Sequence, residues 1–426
     1  MHQPHRDSRR RSGRASRVGL LGRGQSVVTG PPPLYIAREP CRRWKRDKGS
    51  ARKREIFFAE KKGNCLCCSC LQSLTETAMA RMAALLWIAA CGLLLCSSFS
   101  GVEGIGVNYG MIANNLPSPD KVIALCKARG ITDVRLFHPD TAVLAALQGS
   151  GLGVVLGTLN EDLARLASDP SFAASWVQTY VQPFAGAVRF RYVAAGNEVI
   201  PGDLASHVLP AMQNLESALR AAGLGDGDGV RVTTAVSTSV LGSSYPPSQG
   251  AFSEAALPSM APIASFLASR STPLLANVYP YFAYSADPSS VPLDYALLQS
   301  ASAAVTDGGA SYGNMFDAIV DAVYAALERA GAPPGLEVVV SETGWPSGGG
   351  GAGASVGNAA AYVNNVVRHV ASGRGTPRRP GKAVEAFVFA MFNENQKPEG
   401  VEQHFGLFQP DMTEVYHVDF TAASSS

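Results

Sequence analysis

Two glutamates stand apart by their surroundings. Glu198 follows an amide in Ala194-Ala-Gly-Asn-Glu-Val199, and Glu342 closes an apolar run in Val338-Val-Val-Ser-Glu-Thr-Gly-Trp-Pro346. A third acid, Glu394, lies in Phe392-Asn-Glu-Asn-Gln-Lys397. Paired carboxyl groups are what the cleavage of a glycosidic bond needs. One protonates the leaving oxygen, and the other attacks the anomeric carbon or activates water. We therefore assign Glu198 as the acid/base candidate and Glu342 as the nucleophile candidate. Asn197 could bond a sugar hydroxyl beside the reacting carbon, a contact that strengthens in the transition state. Flat rings stack on sugar faces, and Tyr109, Tyr279, Tyr281, Phe282, Trp345, Phe392 and Phe405 all fall near the ends of apolar runs. About half of them are expected to serve the interior instead. A lone glutamate of this kind would read as a surface acid; the pair, with its aromatics, does not.

Such residues need a frame that aims them at one point. From Ile105 onward the chain alternates short β-rich runs with longer helical patterns. The strand candidates are 105–110, 133–137, 153–158, 190–199, 230–237, 274–281, 336–342 and 386–393. Most are continuously apolar, as strands buried on both faces should be. The helical stretches include Pro119–Arg129 behind a Ser118 cap, Ala205–Ala222 before Gly223, Gly313–Ala330 before Gly331, and Asn358–Ala371 before Gly373. This pattern predicts an α/β fold, a single (β/α)8 TIM barrel over residues 105–421, with 422–426 as a short tail. An open doubly wound sheet would show a Gly-rich phosphate turn after its first strand, and Gly110-Met-Ile-Ala-Asn-Asn-Leu-Pro-Ser118 has none. In a barrel the C-terminal strand ends carry chemistry, so acids from strands four, seven and eight meet on one rim. Strands four and seven on opposite sides would flank a sugar with carboxyls about 5–5.5 Å apart, the spacing of a retaining enzyme.

The formal net charge of +2 hides a strong asymmetry. Residues 1–78 are rich in arginine and lysine, while 105–426 carry more acids than bases. An acidic body argues against nucleic acid as a partner, since phosphate binding needs Lys and Arg. Residues 79–104 read as a secretory signal peptide: Arg81, then an apolar run Leu85–Cys96, then small residues. The run is shorter than the ~20 residues of a spanning helix, so no membrane anchor is expected. Translation starting at Met79 or Met82 would explain the extension 1–78, a disordered or targeting segment being the other reading. Its Cys65, Cys67, Cys68 and Cys70 lack paired zinc spacing, and no metal is assigned. Cys126 is the single cysteine after the leader, so the barrel is built without an internal disulfide and needs a large core.

At these residues the chain resembles plant β-1,3-glucanases of glycoside hydrolase family 17. Val338-Val-Val-Ser-Glu-Thr-Gly-Trp-Pro-Ser-Gly348 looks like the family signature. Ile105-Gly-Val-Asn-Tyr-Gly110, Asn114-Asn-Leu-Pro-Ser118, Val193–Val199, Asn277-Val-Tyr-Pro-Tyr281, Phe389–Lys397 and Phe405-Gly-Leu-Phe408 are similar to its other blocks. The resemblance covers about residues 105–420. It implies a (β/α)8 barrel, retaining endo-hydrolysis of β-1,3-glucan and no cofactor; the leader predicts a secreted protein, of the cell wall or the vacuole, and a monomer is expected. It carries the nucleophile to Glu342 and the acid/base to Glu198, and it puts Glu385, Glu394 and Lys397 near the cleft. Crowded carboxylates should raise one member's pKa. Asn108 stands where some relatives have Cys, and Gly348–Gly353 is richer in glycine than usual, which predicts a flexible loop. Tyr245-Pro-Pro-Ser248 resembles the β-1,3-specific members. Mixed-linkage β-1,3;1,4-glucan is the sister substrate, and a non-catalytic glucan-binding wall protein is the reading from another class.

Overall fold

A computed structural model describes residues 105–227 and 229–420. The basic extension 1–78, the leader 79–104 and the tail 422–426 lie outside the described residues. Eight strands close a barrel: β1 Gly106–Tyr109, β2 Asp133–Leu136, β3 Gly153–Gly157, β4 Arg189–Asn197, β5 Arg231–Ser237, β6 Leu274–Asn277, β7 Val338–Thr343 and β8 Ala386–Val388. Each pairs in parallel with its neighbours, and β8 closes on β1. Around them run α1 Pro119–Ala128, α2 Thr141–Leu147, α3 Leu163–Ser168, α4 Pro170–Tyr180, α5 Ala205–Ala221, α6 Leu257–Ala268, α7 Pro280–Ala286, α8 Leu293–Ala296, α9 Met315–Arg329 and α10 Val356–Ala371. No helix among the described residues is long and apolar enough to cross a membrane.

Both strand faces are buried, which is why the runs lack alternation. One face fills the barrel with Val155, Tyr192, Ala194, Ala235, Leu275, Val339 and Phe387. The other packs under the helices in a larger core that includes Val154, Val193, Val236, Val338 and Val340.

The strands stop where local chemistry stops them. The sixth run was expected to reach Tyr281, but β6 ends at Asn277, and Pro280 starts α7. Proline lacks the N–H a ladder needs and suits a first helical turn. Ser118 takes the N-cap place of α1 with an extended backbone, yet its side chain does not cap, whereas Asp140, Asp169, Asn314 and Ser355 do cap their helices. Ladder register slips between Ala194 and Asn197 on β4 and between Val340 and Glu342 on β7. Irregularities of this kind re-aim side chains at barrel rims.

Candidate active site

Glu198 and Glu342 sit just beyond those two slips. Gly196 has φ +77°, where a side chain would be strained and would also press on Leu163. Glu198 itself has φ +56°, and its amide donates to Ala235 O at 2.9 Å. A non-glycine residue held there costs of order 1 kcal/mol, and such strain clusters at functional sites. β4 and β7 stand three places apart round the ring, with β5 and β6 between them, rather than diametrically opposite.

The gap is bridged from β6. Asn277 Nδ2 donates to Glu198 Oε1 at 2.7 Å and to Glu342 Oε1 at 2.9 Å. Ser341 Oγ donates to Asn277 Oδ1 at 2.7 Å, which fixes the amide the right way round. From β2, Arg135 is 2% exposed and donates Nη1 to Glu342 Oε1 at 2.5 Å and Nη2 to Asn197 Oδ1 at 2.8 Å. Asn108 accepts from Arg135 at 3.1 Å and donates to Ser341 O at the same distance. Tyr279 donates its hydroxyl to Glu342 Oε2 at 2.8 Å. Burial, then the Glu342 charge, push the Tyr279 phenol well above its ordinary pKa, so it stays a donor.

The two carboxyls live in different surroundings. Glu342 is 5% exposed and takes a guanidinium, an amide and a phenol. Glu198 opens on the cleft. Loss of water around its carboxyl and then the Glu342 charge raise its pKa, with Asn277 and Arg135 pulling the other way. Desolvation therefore leads, ahead of the crowding of like charges that the sequence suggested.

Above them lies a cavity of about 480 Å³ whose lining includes both glutamates, Tyr279, Phe282, Glu402 and Phe405. A second cavity of about 250 Å³ meets it at Glu342 and Phe389, and its lining includes Asn197, His138, Glu394 and Lys397. Glu394 accepts the Ile112 amide at 2.7 Å and pairs with Lys397 Nζ at 3.2 Å, while that ammonium sits 4.1 Å from the Phe389 ring centroid.

Several expected residues lie elsewhere. Tyr109 and Phe392 meet edge-on in the core, and Tyr281 packs on Trp345, which is fully buried. These four do not line either cavity, although Tyr281 supports the Phe405 and Phe282 that do. Glu385 is a correction. It precedes β8, at the N-terminal rim, and pairs with Arg191, which also bonds Asp133 at 3.2 Å. The glycine loop is another. Three of its glycines have φ between +70° and +88°, and a Cβ on Gly351 would strike the Tyr281 hydroxyl. Gly353 O accepts from Trp345 Nε1 at 2.9 Å and Asn358 Nδ2 at 2.8 Å. These glycines let the loop press close on its neighbours. Arg135, Asn277, Phe389 and Glu402 were not singled out beforehand. An arginine inside the apolar run 133–137 was the available signal for the first.

The model of Glycosyl hydrolases family 17 matches residues 105–420. A putative glucan endo-1,3-beta-glucosidase GVI of Hordeum vulgare is 75% identical over 327 residues, which cover 76% of this chain and all of that one. Lichenase-2 of Hordeum vulgare is 48% identical over 319 residues, 75% of this chain and 99% of its own. Among solved structures, a β-1,3-glucanase and allergen of Cryptomeria japonica pollen superposes with a TM-score of 0.72 at 44% identity, covering 75% of this chain and 99% of that one. With the barrel, the paired carboxyls and these matches together, the chain belongs to glycosyl hydrolases family 17 and is a glycosidase.

Proposed function

We propose that the chain is a retaining endo-hydrolase of β-1,3-glucan. The observation that carries the mechanism is the shared donor. Both Oε1 atoms bond one Asn277 nitrogen, so they are no farther apart than the two bonds laid end to end. That supports the ~5–5.5 Å of retaining enzymes over the ~6.5–9.5 Å that admits an inverting water. Glu342, held by Arg135, attacks the anomeric carbon as Glu198 delivers its proton to the departing oxygen. Water then gives its proton to Glu198 and displaces Glu342 from the glycosyl ester. Asn197 accepts from Arg135 and Asn277 through Oδ1, which turns its NH2 toward a sugar hydroxyl.

The linkage reading rests on the 75% identical relative named for β-1,3-glucan. Lichenase-2 favours the mixed-linkage substrate as the second reading. The leader-like segment 79–104 would send the enzyme to the wall or the vacuole. Purified 105–426 protein, given laminarin and mixed-linkage glucan separately, decides the matter by early proton NMR of the products. β-Anomers from laminarin alone are expected. Cleavage of mixed-linkage glucan alone would transfer the reading to the sister substrate, α-anomers would end the two-glutamate model, and binding without cleavage would leave a glucan-binding protein.

A further inference from the structure

Next to the active-site cavity lies a groove of about 440 Å³ that shares Ser244, Ala283 and Ile319 with it. Its walls are largely apolar, from Tyr245, Pro247, Pro292, Tyr295 and Met315 among others. Tyr245 is 72% exposed, a large ring left at the mouth of the groove. A ring held so openly is useful only if its backbone is fixed, and here it is. Asp307 spends both carboxylate oxygens on one residue of the Tyr245 loop: Oδ2 accepts the Ser248 amide at 2.6 Å and Oδ1 accepts the Ser248 hydroxyl at 2.8 Å.

Asp307 is itself anchored. It ends the first strand of an antiparallel hairpin, Val305–Asp307 with Ala310–Tyr312. Tyr312 is buried, and its hydroxyl faces the Asp321 carboxylate on α9. The loop meets the same helix directly. Arg329 donates to Ser248 O at 3.1 Å and to Gln249 Oε1 at 3.0 Å, and a Cβ on Gly250 would strike Ala322 O. The wall of the groove is thus braced to α9 by two routes, one direct and one through Asp307.

We propose that Asp307 is a positioning residue, holding Tyr245 as the stacking platform of a distal sugar site that only longer glucan chains reach. This rests on the glucan-hydrolase reading above. Sugar rings expose apolar faces that stack on aromatic rings, and the groove is continuous with the cleft where the chain would be cut. The chemistry at Glu342 and Glu198 is untouched by the loop, so the effect belongs to KM and grows with chain length.

The test is kcat and KM over a series of reduced β-1,3-gluco-oligosaccharides, from trimer to nonamer. Asp307→Ala should lose about five- to tenfold in kcat/KM on the long members through KM, and change by less than about twofold on the shortest. Asp307→Asn keeps an acceptor for the Ser248 amide and a donor for its hydroxyl, and should recover the parent profile. Tyr245→Ala should reproduce the loss, and adding Asp307→Ala to it should cost nothing more. A loss of equal size at every length, or one that Asp307→Asn does not recover, overturns the proposal. Should Asp307→Ala fail to fold, Tyr245→Ala alters an exposed ring alone, and an unchanged length profile there overturns it as well. A parent that cleaves only mixed-linkage chains removes the β-1,3 reading, a result separable from any defect of the variants.

Discussion

Glu198 and Glu342 share one amide donor but differ in what else surrounds them. Glu342 takes a guanidinium and a phenol; Glu198, stripped of water and facing the Glu342 charge, holds its proton to higher pH than an ordinary carboxyl. The general acid must be protonated, so the basic limb of kcat/KM should follow Glu198 and lie above the ordinary carboxylate range. Glu198→Gln should lower kcat on laminarin by about 10²–10⁴-fold. It also has a stability consequence. A carboxyl with a raised folded pKa contributes stability below its unfolded pKa and loses it as pH rises through the folded value. The glutamine variant should therefore melt at or above the parent at pH 7, and the gap should close in acid. Calorimetry across that range checks the sign; a lower melting temperature at pH 7 would contradict the account.

The polar network round the two glutamates is drawn from four strands and their ends. β2 supplies Arg135, β4 supplies Glu198, β6 supplies Asn277 and β7 supplies Glu342, so each strand's position matters as much as each residue. Arg135→Ala leaves Glu342 buried without its counter-charge and should cost ~3–5 kcal/mol in denaturant unfolding. Arg135→Lys restores a charge but not the planar fork that also reaches Asn108 and Asn197. Stability should then partly return while kcat stays at least about tenfold down. On α9, Asp321 is fully buried; one oxygen accepts the Arg378 amide at 2.8 Å, and the carboxyl also faces the Thr376 and Tyr312 hydroxyls. Burial lifts its pKa to about 6. Its stabilising contribution is lost as pH rises through that value, at a cost of up to ~3 kcal/mol. Asp321→Asn should gain melting temperature over the parent at pH 8 and not at pH 4. Equal differences at both would show that the carboxyl does not titrate there.

At the scale of the whole molecule, the barrel carries a single cysteine, Cys126, which is buried with its thiol pushed up to about 12. Stability must come from the two apolar layers, inside the strands and beneath the helices. We expect the purified 105–426 protein to fold alone, to match the full chain in laminarin hydrolysis, and to keep its melting temperature when a reductant is added. A reductant-sensitive transition would point to a covalent link that a single thiol cannot make within one chain.

The amino-acid order alone determined the alternation of eight strands with helices, because strands buried on both faces must be continuously apolar and few other folds ask for that. It also marked Glu198 and Glu342, since a pair of acids at such strand ends, with an amide and aromatics beside them, is what glycosidic cleavage needs. Tertiary structure decided the rest. Arg135 reads in sequence as one charge in an apolar run; only the stagger of the closed barrel brings it under Glu342. Asn277 looks like an ordinary strand end until its neighbours on both sides are known. Glu385 seemed to belong with the cleft acids, yet it precedes its strand instead of following it and falls on the opposite rim. Of the aromatics, Tyr279, Phe282 and Phe405 reach the cavity while Tyr109, Tyr281, Trp345 and Phe392 fill the interior. Composition cannot separate them, because the direction of a ring at a strand end depends on local register, and register is fixed only when the barrel closes.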